Sequence, residues 1–283
     1  MNGNIFSKYD RIIFMQKKVE LPVNYAGKVF NSNQKPSLEL FLLQSESSRP
    51  LVLICPGGGY AHLSTREATP VAQKMNELGF HSAVLSYSLA PMEFPAALCD
   101  LAEAVAFCRK NCAALKIDSK NIIVAGFSAG GHLAASLGCY WKSGLIQNIL
   151  PYMPEQTRPN RLLLCYPVIT SDRQFCHEES IENVLGKANL DERDFVSIEF
   201  HVDSSFPPTF IWHTFQDESV PIENSLALVR SLREAKIPFE FHAFERGCHG
   251  LALATPQTAK ADGSCQEAEC TVWPELFRNW FYK

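Results

Sequence analysis

The chain has 283 residues, 46% of them hydrophobic, and a formal net charge of −4. That is ample for a large core, while the absence of any Lys/Arg-rich stretch removes the phosphate footprint a nucleic-acid partner needs. The apolar runs are strand-sized, far below the roughly 20 residues that span a bilayer, so a membrane reading fails. The N-terminal MNGNIFSKYDRIIF lacks the charged-then-apolar pattern of a signal peptide. The chain carries ten cysteines. Cys55 and Cys165 end apolar strand-like runs, and Cys99, Cys108, Cys112 and Cys139 fall in helical patterns, which is how free, buried thiols are used in a reducing compartment. The expected location is therefore cytoplasmic. Cys265 and Cys270 flank a polar segment and receive no reading.

In chain order, Arg11–Gln16 and Leu38–Leu43 read as strands separated by the turn-rich stretch Asn31–Ser37. Leu51–Cys55 (LVLIC) is a continuous apolar run, the signature of a strand covered on both faces. A glycine cluster follows, then a helical pattern over Ala68–Leu78 that ends at Gly79, a C-cap residue. The alternation continues with strand Ser82–Ser86 and helix Ala96–Lys110, then strand Ile122–Ala125 and helix Ala129–Tyr140, then strand Leu162–Cys165. Beyond an irregular stretch come strand Thr209–His213, helix Pro221–Ala235, strand Phe239–Phe244 and a final helix over Val272–Phe281. Strands alternating with helices imply one α/β domain over residues 1–283, a mostly parallel twisted sheet with helices on both faces. Ligands in such folds bind beyond the carboxyl ends of the strands. Residues 171–206 are mixed in charge and weakly periodic; a stretch of that length reads as a cap-like insertion over the pocket.

Gly126-Phe127-Ser128-Ala129-Gly130 is a G-x-S-x-G motif lying directly after the strand NIIVA and directly before the helix AGGHLAASLG. A serine there sits on a sharp strand-to-helix turn with its hydroxyl exposed, above a helix N-terminus that favours developing negative charge. Oxyanion donors are expected from the Ala129 N–H and from Gly58 and Gly59 of the loop Pro56-Gly57-Gly58-Gly59-Tyr60. That loop lacks G-x-G-x-x-G spacing and a lysine in P-loop register, so a nucleotide-binding reading is weak.

The nucleophile needs a base, and the base an orienting carboxylate, in the chain order Ser, Asp, His. Asp217 follows the strand TFIWHT and His249 follows FEFHAF, both at carboxyl strand ends. Asp172 and Glu218 are the alternative acids. His213 and His242 lie within strands and read as hydrogen-bonded core rings, His132 as a packing or capping residue one turn into the nucleophile helix. His62, His81, His177 and His201 have no matching loop position. No HExxH or similar paired spacing occurs, so no metal and no organic cofactor is expected.

Together PGGGY, GFSAGGH, WHTFQDESVP and GCHG resemble the α/β-hydrolase esterases of the acetyl-xylan and carbohydrate esterase kind, from about Leu38 to the C-terminal helix. Pro56 stands where lipase-type enzymes often have histidine. The resemblance implies Ser128 as nucleophile, Asp217 as acid, His249 as base, and an oxyanion hole at Gly58, Gly59 and Ala129. It also implies a small acyl ester, an acetylated saccharide among the candidates, as substrate. A peptidase or amidase on the same three residues, and a non-catalytic binding protein of the same fold, remain the alternatives, and the oligomeric state is open.

Overall fold

The computed structural model describes residues 14–21 and 35–283. Among the described residues the sheet has eight strands in the order β1-β2-β4-β3-β5-β6-β7-β8. They are β1 (Phe14–Glu20), β2 (Ser37–Leu43), β3 (Arg49–Cys55), β4 (His81–Ser86), β5 (Ile117–Phe127), β6 (Arg161–Cys165), β7 (Thr209–Thr214) and β8 (Phe239–Phe244). The helices among the described residues are α1 (Thr69–Glu77), α2 (Ala96–Lys110), α3 (Cys112–Leu115), α4 (Ala129–Tyr140), α5 (Gly144–Gln147), α6 (Pro154–Thr157), α7 (Glu178–Leu185), α8 (Glu223–Glu234) and α9 (Trp273–Phe281). β2 pairs antiparallel with both β1 and β4, and every pairing from β4 through β8 is parallel.

The five residues Leu51–Cys55 are each 0% exposed, and their alternation explains the layering. Leu51, Leu53 and Cys55 enter one core with Leu101 of α2, Leu133 of α4 and Leu228 of α8. Val52 and Ile54 enter the other with Val71 and Met75 of α1 and Trp273 and Phe277 of α9. Each such side chain stabilises the fold by roughly 1.5–3 kcal/mol over leaving it in water. A run that is apolar at every position must therefore be covered on both faces.

Differences from the sequence reading have local causes. β1 runs to Glu20, four residues past the expected Gln16, because an exposed edge strand carrying Lys17 and Lys18 needs no apolar alternation. Residues Arg11–Ile13 of the expected strand, and most of the expected turn before Ser37, lie outside the described residues. β5 starts at Ile117 rather than Ile122, since Arg49 pairs with Ile117 across an irregularity in β3 and main-chain pairing does not require apolar side chains. Gly79 takes φ +91° after α1, the left-handed conformation for which glycine is suited. Residues 171–206 hold α7 and two 3₁₀ turns, Lys187–Val196 and Ile198–Phe200. They are tied to the carboxyl edge of the sheet: Asn183 Nδ2 donates to Gly59 O (2.8 Å), His132 Nε2 to Val196 O (2.7 Å), and Phe94 N to Val184 O (2.7 Å).

The turn from β5 into α4 is packed too tightly for side chains. A Cβ on Gly126 would lie 2.1 Å from Gly130 O, and one on Gly130 would lie 2.1 Å from Cys55 O. Both clashes are with main chain, which cannot rotate away. Gly130→Ala is expected to lower stability by about 3 kcal/mol, read as a shift of the urea midpoint. Gly144→Ala is the control, because its Cβ meets nothing nearer than Asn148 Nδ2 at 3.4 Å; it should stay within about 0.5 kcal/mol of wild type.

Candidate active site

Ser128 joins β5 to α4 at φ 54°, ψ −120°, a conformation that costs a non-glycine residue on the order of 1–3 kcal/mol. Its main chain is over-determined. Ser128 N donates to Cys165 O (3.0 Å), while Ser128 O accepts from Gly131 N (2.9 Å), His132 N (3.1 Å) and Val168 N (3.1 Å). The turn lifts the side chain off the sheet edge, where Oγ lies 2.8 Å from His249 Nε2. Ala129 begins α4, so its N–H precedes the first intrahelical bond and stays available.

His249 lies five residues beyond β8 and Asp217 three beyond β7, on adjacent parallel strands. His249 Nδ1 is 2.6 Å from Asp217 Oδ2, so the neutral ring donates at Nδ1 and accepts from Ser128 at Nε2. Asp217 is buried, and its Oδ1 accepts from the amides of Ser219 (3.1 Å) and Val220 (2.9 Å). A second imidazole stands behind it. His213 Nε2 donates to Val220 O (2.9 Å), lies 3.4 Å from Asp217 Oδ2, and has Ser225 Oγ 2.8 Å from its Nδ1. Burial opposes ionisation of Asp217. The hydrogen bonds from His213 and His249, the charge on His249 and the Val220 amide outweigh it, holding the carboxyl well below the usual carboxylate range.

The glycine loop after β3 abuts the same turn: a Cβ on Gly57 would lie 2.9 Å from Ser128 Cβ. Gly57 N is committed to buried Glu67 Oε2 (2.8 Å), whereas the N–H groups of Gly58 and Gly59 take no protein acceptor among the described residues. Glu67 Oε1 accepts from Tyr166 OH (2.7 Å), which in turn accepts from Ala252 N (2.9 Å). Tyr166 also sets its ring edge-on to His249 at 5.2 Å. Arg66 donates to Thr258 O (2.6 Å) and Gly250 O (2.8 Å). Sequence reasoning missed Glu67, Tyr166, Arg66 and the contact from His213. Arg66 finds its acceptors 184 and 192 positions away, and Glu67 and Tyr166 meet across 99, so no local pattern announces them.

The rival acids fall away. Asp172 is exposed and caps Gln174 N (2.9 Å), and Glu218 is exposed beside the buried Asp217. His132 is buried between Tyr60 OH (2.8 Å) and Val196 O, and burial lowers its pKa to about 4 despite the Val196 bond. His242 is not a core ring. It is half-buried on edge strand β8 against Glu240 (3.0 Å). His62 and His177, set aside in the sequence, line the cleft at Ser128, a cavity of about 260 Å³. Cys265, which the sequence left without a reading, pairs with Cys248 in a disulfide (Cα–Cα 5.9 Å), while the other eight cysteines are free. No helix among the described residues is long and apolar enough to cross a membrane.

The BD-FAE family matches residues 38–232. A solved acetyl ester-xyloside bifunctional hydrolase from Caldicellulosiruptor lactoaceticus is 36% identical at a TM-score of 0.82, covering 94% of this chain and 95% of that one. Endo-1,4-beta-xylanase B of Butyrivibrio fibrisolvens is 37% identical over 227 residues, 78% of this chain and 35% of that protein. Acetylxylan esterase of Xylanibacter ruminicola is 29% identical over 227 residues, 78% of this chain and 45% of that protein. The chain thus spans less than half the length of these two relatives. With the family matched over most of the chain and a close structural relative covered nearly end to end, the chain belongs to the BD-FAE family and has the α/β-hydrolase fold.

Proposed function

We propose that the chain is a serine esterase that hydrolyses short acyl esters, acetyl above all, of sugars or other small alcohols. The observation that carries this reading is the unbroken hydrogen-bonded line from Ser128 Oγ through His249 to buried Asp217. In this mechanism His249 Nε2 takes the Ser128 proton as Oγ attacks the ester carbonyl. The N–H groups of Ala129, Gly58 and Gly59 receive the oxyanion, and each such donor is worth about 3 kcal/mol of barrier. His249 then returns the proton to the departing alcohol, and water cleaves the acyl-enzyme by the same route. Asp217 holds the imidazole tautomer and stabilises its cation. The acetyl and sugar assignments draw on the names of the Caldicellulosiruptor hydrolase and the Xylanibacter esterase.

Two further parts of the proposal concern setting. Residues 171–206 act as a cap, with α7 lying against the glycine loop through Asn183. A cytoplasmic location fits the eight free cysteines, whereas the Cys248–Cys265 link is one that an oxidising milieu keeps closed.

The reading is tested with 4-nitrophenyl esters from acetate to octanoate. Turnover should fall with chain length and drop about a millionfold in Ser128→Ala; equal activity in the variant would remove Ser128 from the mechanism. Asp217→Asn should lose about four orders of magnitude in kcat while KM changes little. The same carboxyl sets an acid limit on stability. Its pKa is depressed in the fold, so its contribution is complete above the unfolded value near 4 and is lost as pH falls through the lower folded value. Urea midpoints measured from about pH 5 down to about pH 2 should decline more steeply for wild type than for Asp217→Asn. Parallel declines would contradict the assignment.

A further inference from the structure

We propose that His177 and Glu179, both contributed by the 171–206 segment, form the subsite that receives the alcohol of the ester and selects a polyhydroxylated one. This rests on the esterase reading above and names the substrate class that the same cleft favours. His177 is the N-cap of α7, and its Nδ1 accepts from Ser180 N (3.3 Å) with Ser180 Oγ at 2.8 Å. A backbone N–H can only donate, so the cap fixes the tautomer: the neutral ring carries its proton on Nε2. That N–H has no protein partner among the described residues, and the ring lines the cleft that holds Ser128 and His249.

The His177 edge and the Glu179 carboxylate meet over one point of the glycine loop. A Cβ built on Gly59 would lie 3.8 Å from His177 Cε1 and 3.8 Å from Glu179 Cδ. The Glu179 side chain likewise has no hydrogen-bonding partner among the described residues and lines the same cleft. Burial is the main reason the His177 pKa is lowered; the charge of His249 adds to it, while Glu179 and Asp217 act the other way. The ring is thus a neutral donor beside a carboxylate acceptor.

The acyl side of an acetyl ester offers only a methyl group, which can satisfy neither His177 nor Glu179. A sugar hydroxyl can satisfy both, since its oxygen accepts from Nε2–H while a neighbouring hydroxyl donates to the carboxylate. The rest of the lining agrees. His62, Ser64, Arg66, Ser219 and Lys260 are polar, and among the described residues no aliphatic or benzenoid side chain lines the cleft.

The test compares two acetyl esters. One is 4-nitrophenyl acetate, whose alcohol has no hydroxyl to spare; the other is a xylobiose monoacetate with its remaining hydroxyls free. The variants are His177→Asn, which keeps an oxygen able to cap α7, and Glu179→Gln, which keeps shape and removes charge. Each should lower the ratio of kcat/KM on the sugar ester to kcat/KM on 4-nitrophenyl acetate by about tenfold, with the melting temperature checked alongside. A ratio that stays at the wild-type value in both variants overturns the subsite. So does a wild type that cleaves 4-nitrophenyl acetate but not the monoacetate. Failure of the wild type on both esters, with Ser128→Ala indistinguishable from it, would instead bring down the esterase reading.

Discussion

The turn at Ser128 can exist only because the chain around it has been stripped of side chains. Its φ of 54° is unfavourable, and the structure holds it there through four main-chain hydrogen bonds and three glycines that admit no Cβ: Gly57, Gly126 and Gly130. Relaxing any of these contacts would let the backbone fall back toward ordinary helix geometry, carrying Oγ away from His249. The same kind of strain recurs nearby. Among the described residues, the non-glycine positive-φ positions Tyr60, Tyr166, Ala252, Ala254 and Cys265 also lie in loops at the carboxyl edge of the sheet. The two others away from Ser128 differ in kind: Lys116 and Lys236 follow α3 and α8 on the way into β5 and β8, where left-handed residues end helices routinely. Strain is therefore sorted by edge, and one edge carries nearly all of it.

What keeps that edge rigid is a polar lattice beneath the loops. The 3₁₀ turn Thr65–Glu67 supplies both of its centres. Glu67 joins Gly57 of the β3 loop to Tyr166 beyond β6, and Tyr166 continues to Ala252 beyond β8. Arg66 reaches Gly250 and Thr258 in that last loop. Buried polar groups are costly unless satisfied, so each bond both stabilises its partner and forbids the loop from drifting. The Cys248–Cys265 link adds a covalent tie at the residue next to His249.

How much of this was legible depended on range. Ser128 and the helix after it could be read because strand, turn and helix are contiguous, and Asp217 and His249 because each follows an apolar run that had to be a strand. The two-sided burial of Leu51–Cys55 was written in its uninterrupted apolarity. The supporting residues were not legible. Glu67 and Tyr166 are 99 positions apart and His177 lies 118 positions beyond Gly59, so only the folded topology brings them together. His177 carries no strand-end signal, because it arrives from the segment between β6 and β7. The carboxyl end of edge strand β1 fell four residues short for the opposite reason: its exposed lysines carry no periodic signal at all.

The arrangement also explains why Asp217 rather than a neighbour serves as the orienting acid in the proposed mechanism. A carboxylate has about four acceptor positions. Here Oδ1 takes two amides of the turn that follows β7, while Oδ2 takes His249 at 2.6 Å with His213 behind it at 3.4 Å. With three positions filled and His213 close behind the fourth, the carboxylate is held against rotation, and the plane of the His249 imidazole is inherited from the Gln216–Val220 turn. Glu218, one residue on, points into solvent; it would have to surrender its hydration and lock three side-chain torsions to do the same. The orientation is thus set by main-chain amides, and in the proposed mechanism such preorganised polarity costs no rearrangement when the proton passes from Ser128 to the imidazole.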